Sequence, residues 1–186
     1  EKDIELLNSQ VERCNEILKR LTLNPVEEDE FIDKDINIRD YLHEIISSFK
    51  EISKKEFVFN FDQDSNSKKI TKSIELVYGL RNFIGNANKF AKNTIFINLK
   101  SDSEITEITV EDDGDGYPRD IISKIGEPYL KSNYSKDKSK EGLGLGLFIG
   151  KTLLEKNFAS VNCRNSKTRN GAEVVIEWKN KELFNI

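Results

Sequence analysis

Apolar residues near the start of the chain recur at spacings that alternate between three and four. They are Ile4, Leu7, Val11, Cys14, Leu18 and Leu21. This spacing is typical of the a/d seam of a heptad helix, with polar residues between the seam positions. A helix of about 23 residues is about 35 Å long and cannot bury a one-sided seam alone, so the pattern predicts a partner helix. Pro25 ends the predicted helix, because the residue before a proline is disfavoured in the α region.

Beyond residue 35 the pattern changes to intermixed helices and strands, after an acidic linker predicted over 25–35. Asn37 is expected to cap a helix over 38–52, a longer amphipathic helix is predicted over 73–91, and a third ends near 156. Pro118 is expected to start a short helix, and 126–141 is expected to form a loop. Strands are predicted at 57–61, 94–99, 105–110, 160–164 and 172–178. This order lacks regular βαβ alternation and predicts an α+β fold, a mixed sheet under helices.

Composition excludes several classes of protein. The chain has 186 residues and a net charge of −4, so we expect no nucleic-acid partner. No apolar run approaches the roughly 20 residues of a membrane span, and we expect a cytoplasmic chain that meets a membrane only through segments absent from it. The sequence contains no Met, which suggests a piece of a longer protein.

The single histidine, His43, excludes histidine-rich zinc sites, and a Ser-His-Asp triad would have to use it. The two cysteines, Cys14 and Cys163, exclude a disulfide framework. We expect Cys163, in a late strand, to belong to the core.

A glycine-rich run precedes the third long helix. Glycine alternates with leucine through Gly142, Leu143, Gly144, Leu145, Gly146 and Leu147. Such a run lets the backbone approach a ligand, and the helix N-terminus after it presents free N–H groups that suit phosphate. The spacing is that of neither a Walker loop nor a dinucleotide fingerprint. The alternative is a flexible loop before a core helix.

A second cluster lies on the helix predicted over 73–91. Asn82, Asn86 and Lys89 share one helical face, and Phe90 follows them. Asparagine oxygens can coordinate Mg²⁺ and lysine can neutralise phosphate charge, so this face could hold a metal-bound polyphosphate. The alternative is a solvated polar stripe.

A third cluster follows the strand predicted over 105–110. Asp112 is followed by Gly114 and Gly116, where a carboxylate could accept a hydrogen bond from an exocyclic amine and the glycines could admit a flat base. A calcium loop is disfavoured, because the EF-hand glutamate and the preceding helix are missing. An acidic turn without a ligand is the other alternative.

Taken together and in this order, the three clusters resemble the N, G1 and G2 boxes of the sensor histidine kinases, within the GHKL superfamily. The resemblance covers about residues 36–180 and implies a Bergerat-type two-layer sandwich that binds Mg-ATP. It implies that Asn86 is the Mg²⁺ ligand, that Asn82 and Lys89 lie beside the phosphates, and that Asp112 reads the adenine amine. Gly114 and Gly116 would shape the base pocket, and 126–141 would be the ATP lid. The lid would contain Tyr129 and four lysines, any one of which could contact the γ-phosphate: Lys131, Lys136, Lys138 and Lys140.

The resemblance also favours a kinase over an ATPase. ATP-hydrolysing members of the superfamily place a glutamate four residues before the metal-binding asparagine as general base, whereas this chain has Asn82 there. The implied reaction passes the γ-phosphoryl group to a histidine on a helix missing from this chain and then to an aspartate of a response regulator. Two alternatives stay open: an anti-sigma-type serine kinase and a non-catalytic nucleotide-binding scaffold.

The segment 1–24 resembles the second helix of a dimerisation hairpin, which implies a homodimer through the heptad helix in the full-length kinase. His43 is not the expected acceptor, because 44–48 do not continue as an H box, and we expect it to tuck beside the core. This chain alone should therefore not autophosphorylate. The run 10–18 around Cys14 resembles the redox box of the RegB/PrrB group, and Gly126-Glu127-Pro128-Tyr129 resembles that group's form of the Phe box. That resemblance implies a redox role for Cys14; a buried seam residue is the alternative.

Overall fold

The computed structural model describes residues 36–62, 69–70, 73–128 and 145–183. The helices there are α1 (Ile38–Lys50), α2 (Ile74–Phe90), α3 (Gly146–Lys156) and α4 (Asn180–Leu183). The strands are β1 (Ile36–Asn37), β2 (Glu56–Phe61), β3 (Lys69–Ile70), β4 (Thr94–Ser101), β5 (Ile105–Asp112), β6 (Ser160–Asn165) and β7 (Ala172–Lys179). The predicted heptad helix and linker lie outside the described residues.

The main sheet has five strands in the order β2-β4-β5-β7-β6. β2 runs parallel to β4, and all other neighbours are antiparallel, with Ile108 of β5 opposite Leu99 on one side and Ile176 on the other. The sheet is therefore mixed, as predicted. A separate pair, β1 with β3, is antiparallel and was not predicted.

Alternation along the strands explains why helices cover one face of this sheet. Ile95, Ile97 and Leu99 of β4 are buried, whereas Phe96 and Asn98 between them are only half-buried. α2 packs against β5, α3 against β6, and α1 against both β2 and α2. A sheet with one buried face and one partly solvated face gives this pattern. The predicted α+β fold, a mixed sheet with helices, is confirmed.

Side chains cap the first turns of α1 and α2, at Asn37 as predicted and also at Ser73. Asn37 Oδ1 accepts a hydrogen bond from Arg39 N–H (2.9 Å), and Ser73 Oγ accepts one from Leu76 N–H (3.1 Å). Each side chain satisfies a donor that the first helical turn leaves free. Pro118, however, starts a turn and not a helix: Ile121 and Ile122 N–H bond its carbonyl, and only a 3-10 turn at Ile122–Lys124 follows. Ile125 is extended (φ −59°, ψ 126°) and ends this helix, and Gly126 follows with φ +101°.

α2 and α3 approach each other closely through two glycines. A Cβ on Gly79 would lie 2.6 Å from Leu154, and one on Gly150 would lie 3.0 Å from the side chains of Asn82 and Phe83. The pair therefore brings the polar middle of α2 next to α3.

Among the described residues, no helix is both long and apolar enough to cross a membrane.

Candidate functional site

The predicted polar face of α2 exists, and its three residues differ in their surroundings. Asn82 Nδ2 donates to the carbonyl oxygen of Tyr78 (2.8 Å), and its Oδ1 lies near Gly146 of α3. Asn86 is half-buried, and its amide makes no hydrogen bond within the described residues. Lys89 is exposed, with its Nζ 5.4 Å from the ring of Phe90. From Asn82 to Phe90 the helix rises about 12 Å, so these residues form a line.

The N-terminus of α3 lies beside the first residue of that line. A Cβ on Gly146 would be 3.5 Å from Asn82 Oδ1. Leu145 occupies the N-cap position and makes no side-chain capping bond, so the first-turn N–H groups of α3 are not capped by a side chain. An N-terminus of this kind favours an anion, since its N–H groups and the helix dipole are both positive there.

Asp112 ends β5 and is buried, with 3 % of its surface exposed. Its Oδ1 accepts hydrogen bonds from Gly114 N–H (2.8 Å) and Ala172 N–H (3.3 Å). Its Oδ2 accepts none from any described residue. One oxygen is thus fixed by the backbone, and the other remains an acceptor for a ligand.

Burial raises the pKa of Asp112 above its ordinary 3.8, because the buried carboxylate loses solvation. The N–H donors of Gly114 and Ala172 oppose this rise, the nearby Asp113 charge adds to it, and Lys55 opposes it. The net result is a carboxylate that ionises less readily than an exposed one.

The turn after Asp112 packs tightly against its surroundings. A Cβ on Gly114 would lie 2.5 Å from the carbonyl oxygen of Phe90, so this turn touches the last turn of α2. Gly116 has φ +75°, a conformation that a side chain makes costly. Asn165, at the end of β6, accepts from Tyr117 N–H (2.6 Å) and donates to Tyr117 O (3.1 Å), which fixes the turn from its other side.

α2 connects the three predicted clusters. Its middle contacts the N-terminus of α3 at Asn82, and its C-terminal end contacts the turn after β5 at Phe90. Of the predicted site residues, Leu145, Gly146 and Leu147 begin α3. Nine others lie outside the described residues: Cys14, Tyr129, Lys131, Lys136, Lys138, Lys140, Gly142, Leu143 and Gly144.

The described residues fit a magnesium-bound nucleotide by their chemistry. Asn86 offers an amide oxygen that no described group engages, and Mg²⁺ usually takes one or two protein oxygens and completes its shell with water and phosphate. The structure's described part contains no cluster of three or more His, Cys, Asp or Glu that could hold a metal ion by itself.

Two predictions about single residues need correction or refinement. His43 lies on α1 as expected, but its side chain is exposed and does not tuck beside the core; its Nδ1 is 3.4 Å from Ser47 Oγ. Cys163 on β6 is half-buried and not fully in the core, and its thiol lies beside the Tyr117 hydroxyl. Burial raises the pKa of that thiol to about 11, opposed by the Lys151 charge and the Tyr117 hydroxyl.

Sequence reasoning missed the supports of Asp112. Gly171 lies so close that a Cβ there would be 1.8 Å from Asp112 O, and the neighbouring Ala172 supplies one of the N–H donors. Glu111, buried beside Asp112 in the chain, accepts from Thr168 Oγ1 (3.2 Å) and Arg169 Nε (3.1 Å) of the same β6–β7 turn. The glycine itself was visible in the sequence, but the pairing across about 60 residues was not.

Comparison with known proteins agrees with this geometry. A family profile described as histidine kinase-, DNA gyrase B-, and HSP90-like ATPase matches residues 71–182. The sensor histidine kinase RegB of Cereibacter sphaeroides is 31% identical over 172 residues, a match that covers 88% of this chain and 37% of RegB. This chain therefore spans little more than a third of the length of that relative.

Solved structures agree at the level of the fold. The catalytic domain of the histidine kinase ThkA, in a nucleotide-free form, superposes with a TM-score of 0.65 at 20% identity, covering 78% of this chain and 96% of ThkA's. Full-length ShkA in complex with AMPPNP gives 0.67 at 19% identity, covering 95% of this chain and 38% of ShkA's. Both matches concern the fold, a mixed sheet with helices.

Proposed function

Because the chain belongs to the family of histidine kinase-, DNA gyrase B-, and HSP90-like ATPases, we propose that it is the Mg-ATP-binding part of a two-component sensor histidine kinase. The predicted resemblance to sensor histidine kinases is confirmed by the RegB match, and family membership implies ATP binding. The finer parts of the proposal are Mg²⁺, the roles of single residues, the transfer of the γ-phosphoryl group and the response regulator that receives it.

The proposed residue roles follow the line along α2. Asp112 Oδ2 accepts a hydrogen bond from the adenine amine, and the glycine turn after it gives the base room. Asn86 holds Mg²⁺, which when bound neutralises phosphate charge and orients the γ-phosphoryl group for transfer. Asn82 and Lys89 lie beside the phosphates, and the uncapped N-terminus of α3 donates N–H groups to them.

One observation carries this proposal. Asp112 holds one carboxylate oxygen on two backbone N–H groups and has no partner for the other among the described residues. The turn after it touches the end of α2, the helix that carries Asn86. The second oxygen is therefore available to a ligand, and an exocyclic amine is a matching donor for it.

A titration with a fluorescent ATP analogue tests the proposal. We expect the parent chain to bind it more tightly with Mg²⁺ than with a chelator. Asn86→Ala should lose most of that Mg²⁺-dependent gain, whereas Asn60→Ala, an exposed asparagine on the edge strand β2, should keep it. A parent chain without Mg²⁺-dependent binding contradicts the proposal and favours a scaffold.

We propose kinase chemistry without ATP hydrolysis and without self-phosphorylation of this chain. Asn82 stands where a general base for water would be, and an amide cannot take up a proton at neutral pH. We therefore expect no Mg²⁺-dependent ATP hydrolysis and no self-phosphorylation, since His43 is not the expected acceptor. Label from γ-labelled ATP on His43 would contradict this limit. A histidine-bearing hairpin helix supplied in trans, in a homodimer formed through the heptad helix, is the expected acceptor.

A redox role for Cys14 remains a proposal that rests on the resemblance of residues 10–18. Thiolates are the reactive form, so a redox-sensing cysteine needs an ionisable thiol. Cys163 offers a matched control, because burial holds its pKa near 11 and the thiol protonated. In a full-length kinase, Cys14→Ser should abolish the response to oxidant while Cys163→Ser keeps it; an unchanged response in Cys14→Ser contradicts the role.

A further inference from the structure

The C-terminus of α2 is capped from a distant part of the chain. Ala91, the C-cap residue, is extended (φ −52°, ψ 150°), so the helix does not end in the left-handed conformation that usually satisfies the last carbonyls. Instead, Lys55 Nζ donates to the carbonyl oxygens of Asn88, Ala91 (2.6 Å) and, more weakly, Lys89 (3.4 Å).

Ser53 forms a second set of hydrogen bonds at the same turn. Its Oγ donates to Asn88 Oδ1 (2.7 Å) and accepts from Lys55 N–H (3.1 Å). Ser53 and Lys55 together are called the clamp below. They lie between α1 and β2, more than 30 residues before the helix end that they hold.

The turn held by the clamp carries the proposed phosphate and metal ligands. Asn86 and Lys89 flank Asn88 on α2, and the carbonyl of Phe90, the last residue of the helix, touches Gly114 of the base turn. A helix end without satisfied carbonyls frays, and a cation at that end is favoured by the helix dipole. A frayed last turn would move Lys89 and Phe90 first.

We propose that the clamp of Ser53 and Lys55 positions the last turn of α2 for binding of the phosphates of Mg-ATP. The inference rests on the proposed function and adds two positioning residues, neither of which touches the nucleotide. It predicts that losing the clamp weakens the phosphate and metal part of binding more than the base part.

The test compares Lys55→Met with Lys54→Met, an adjacent exposed lysine without such contacts to α2. Affinity is measured for Mg-ATP, for ATP with a chelator and for adenosine, together with amide hydrogen exchange at 88–91 and thermal unfolding. Lys55→Met should weaken Mg-ATP binding about tenfold, as expected from losing charged hydrogen bonds at a helix end. Adenosine affinity should fall less than Mg-ATP affinity, because Lys55 acts on Asp112 only as a nearby charge. Exchange should rise at 88–91 alone, and Lys55→Arg, which keeps a cation and N–H donors there, should recover part of the loss.

Results of three kinds overturn the inference. They are a Lys55→Met variant that binds Mg-ATP like Lys54→Met, an equal loss for adenosine and Mg-ATP, and faster exchange throughout the domain. The last two would indicate a general loss of stability. If Lys55→Met does not fold, Ser53→Ala decides: it should weaken Mg-ATP about threefold with adenosine unchanged, a loss typical of one neutral hydrogen bond. A parent chain that fails to bind Mg-ATP overturns the proposed function itself, whereas a parent that binds while clamp variants match the control overturns only the clamp.

Discussion

Replacing Asp112 by Asn would exchange an acceptor for a donor at one atom of the proposed base pocket. Gly114 and Ala172 N–H groups both donate to Oδ1, so the amide oxygen of an asparagine must take that place. The amide nitrogen then stands where Oδ2 was. It would face the adenine amine donor to donor, whereas a 6-oxo purine would present an acceptor to it.

The expected loss follows from the bond removed. A hydrogen bond to a charged group contributes about 1.5–3 kcal/mol, so ATP should bind about 10- to 150-fold more weakly to Asp112→Asn. ITP, which carries an oxygen in place of the amine, should lose little or gain. Isothermal titration with both nucleotides measures the ratio, with the exposed Asp40→Asn on α1 as the matched control.

Stability should move in the opposite direction. Because burial raises the folded-state pKa of Asp112 above 3.8, protonation stabilises the fold at low pH, and that contribution is lost as pH rises through the raised pKa. At neutral pH the ionised carboxylate therefore costs stability that the neutral amide does not. Asp112→Asn should unfold at the parent's temperature or higher at neutral pH, and the difference should shrink at acid pH.

Two outcomes would refute this reasoning. A folded Asp112→Asn variant that binds ATP within about twofold of the parent would show that Oδ2 contacts no donor of the base. Equal losses for ATP and ITP would place the effect in the turn's backbone and not in base recognition.

Three further predictions concern stability, each measured by denaturant unfolding. Gly79→Ala should destabilise by about 1–3 kcal/mol because its methyl group overlaps α3, while Gly85→Ala, with only ordinary contacts, should stabilise by about 0.5–1 kcal/mol; equal signs would contradict the close helix approach. Phe158→Gly should stabilise by about 1 kcal/mol, since Phe158 is 64% exposed at φ 62°; a loss would indicate packing by its ring. Arg169→Met should destabilise by about 1–3 kcal/mol by leaving buried Glu111 without its ion pair, and an unchanged midpoint would contradict that pairing.

Much of the fold could be predicted from local patterns of apolar residues in the sequence. Apolar residues three and four apart along α2 place Val77, Leu80, Ile84 and Ala87 in the core, all of them buried in the structure. Alternation within β4 and β5 placed those strands to within about two residues at their ends. The short helix predicted to start at Pro118 is present only as a turn followed by a 3-10 helix at Ile122–Lys124, which ends at the extended Ile125.

The candidate site likewise contains features that local patterns predict and others that they do not. The face of Asn82, Asn86 and Lys89 follows from helical spacing, which is a local property. The partners of Asp112 and the clamp do not, because Ala172 and Lys55 reach their targets across 60 and 33 residues respectively. Such pairings depend on strand order, which no single segment encodes.

The β6–β7 turn has a consequence for how this domain can vary in length. Glu111 and Asp112, successive residues of one strand, both hold that turn, the first at Arg169 and the second at Ala172. Gly171 between them touches the Asp112 carbonyl. An inserted residue in 166–170 would shift one anchor relative to the other and misplace the N–H that fixes Asp112. Loop-length variation among relatives should therefore avoid this hairpin, and an engineered fusion or tag placed there should abolish base recognition before it unfolds the sheet.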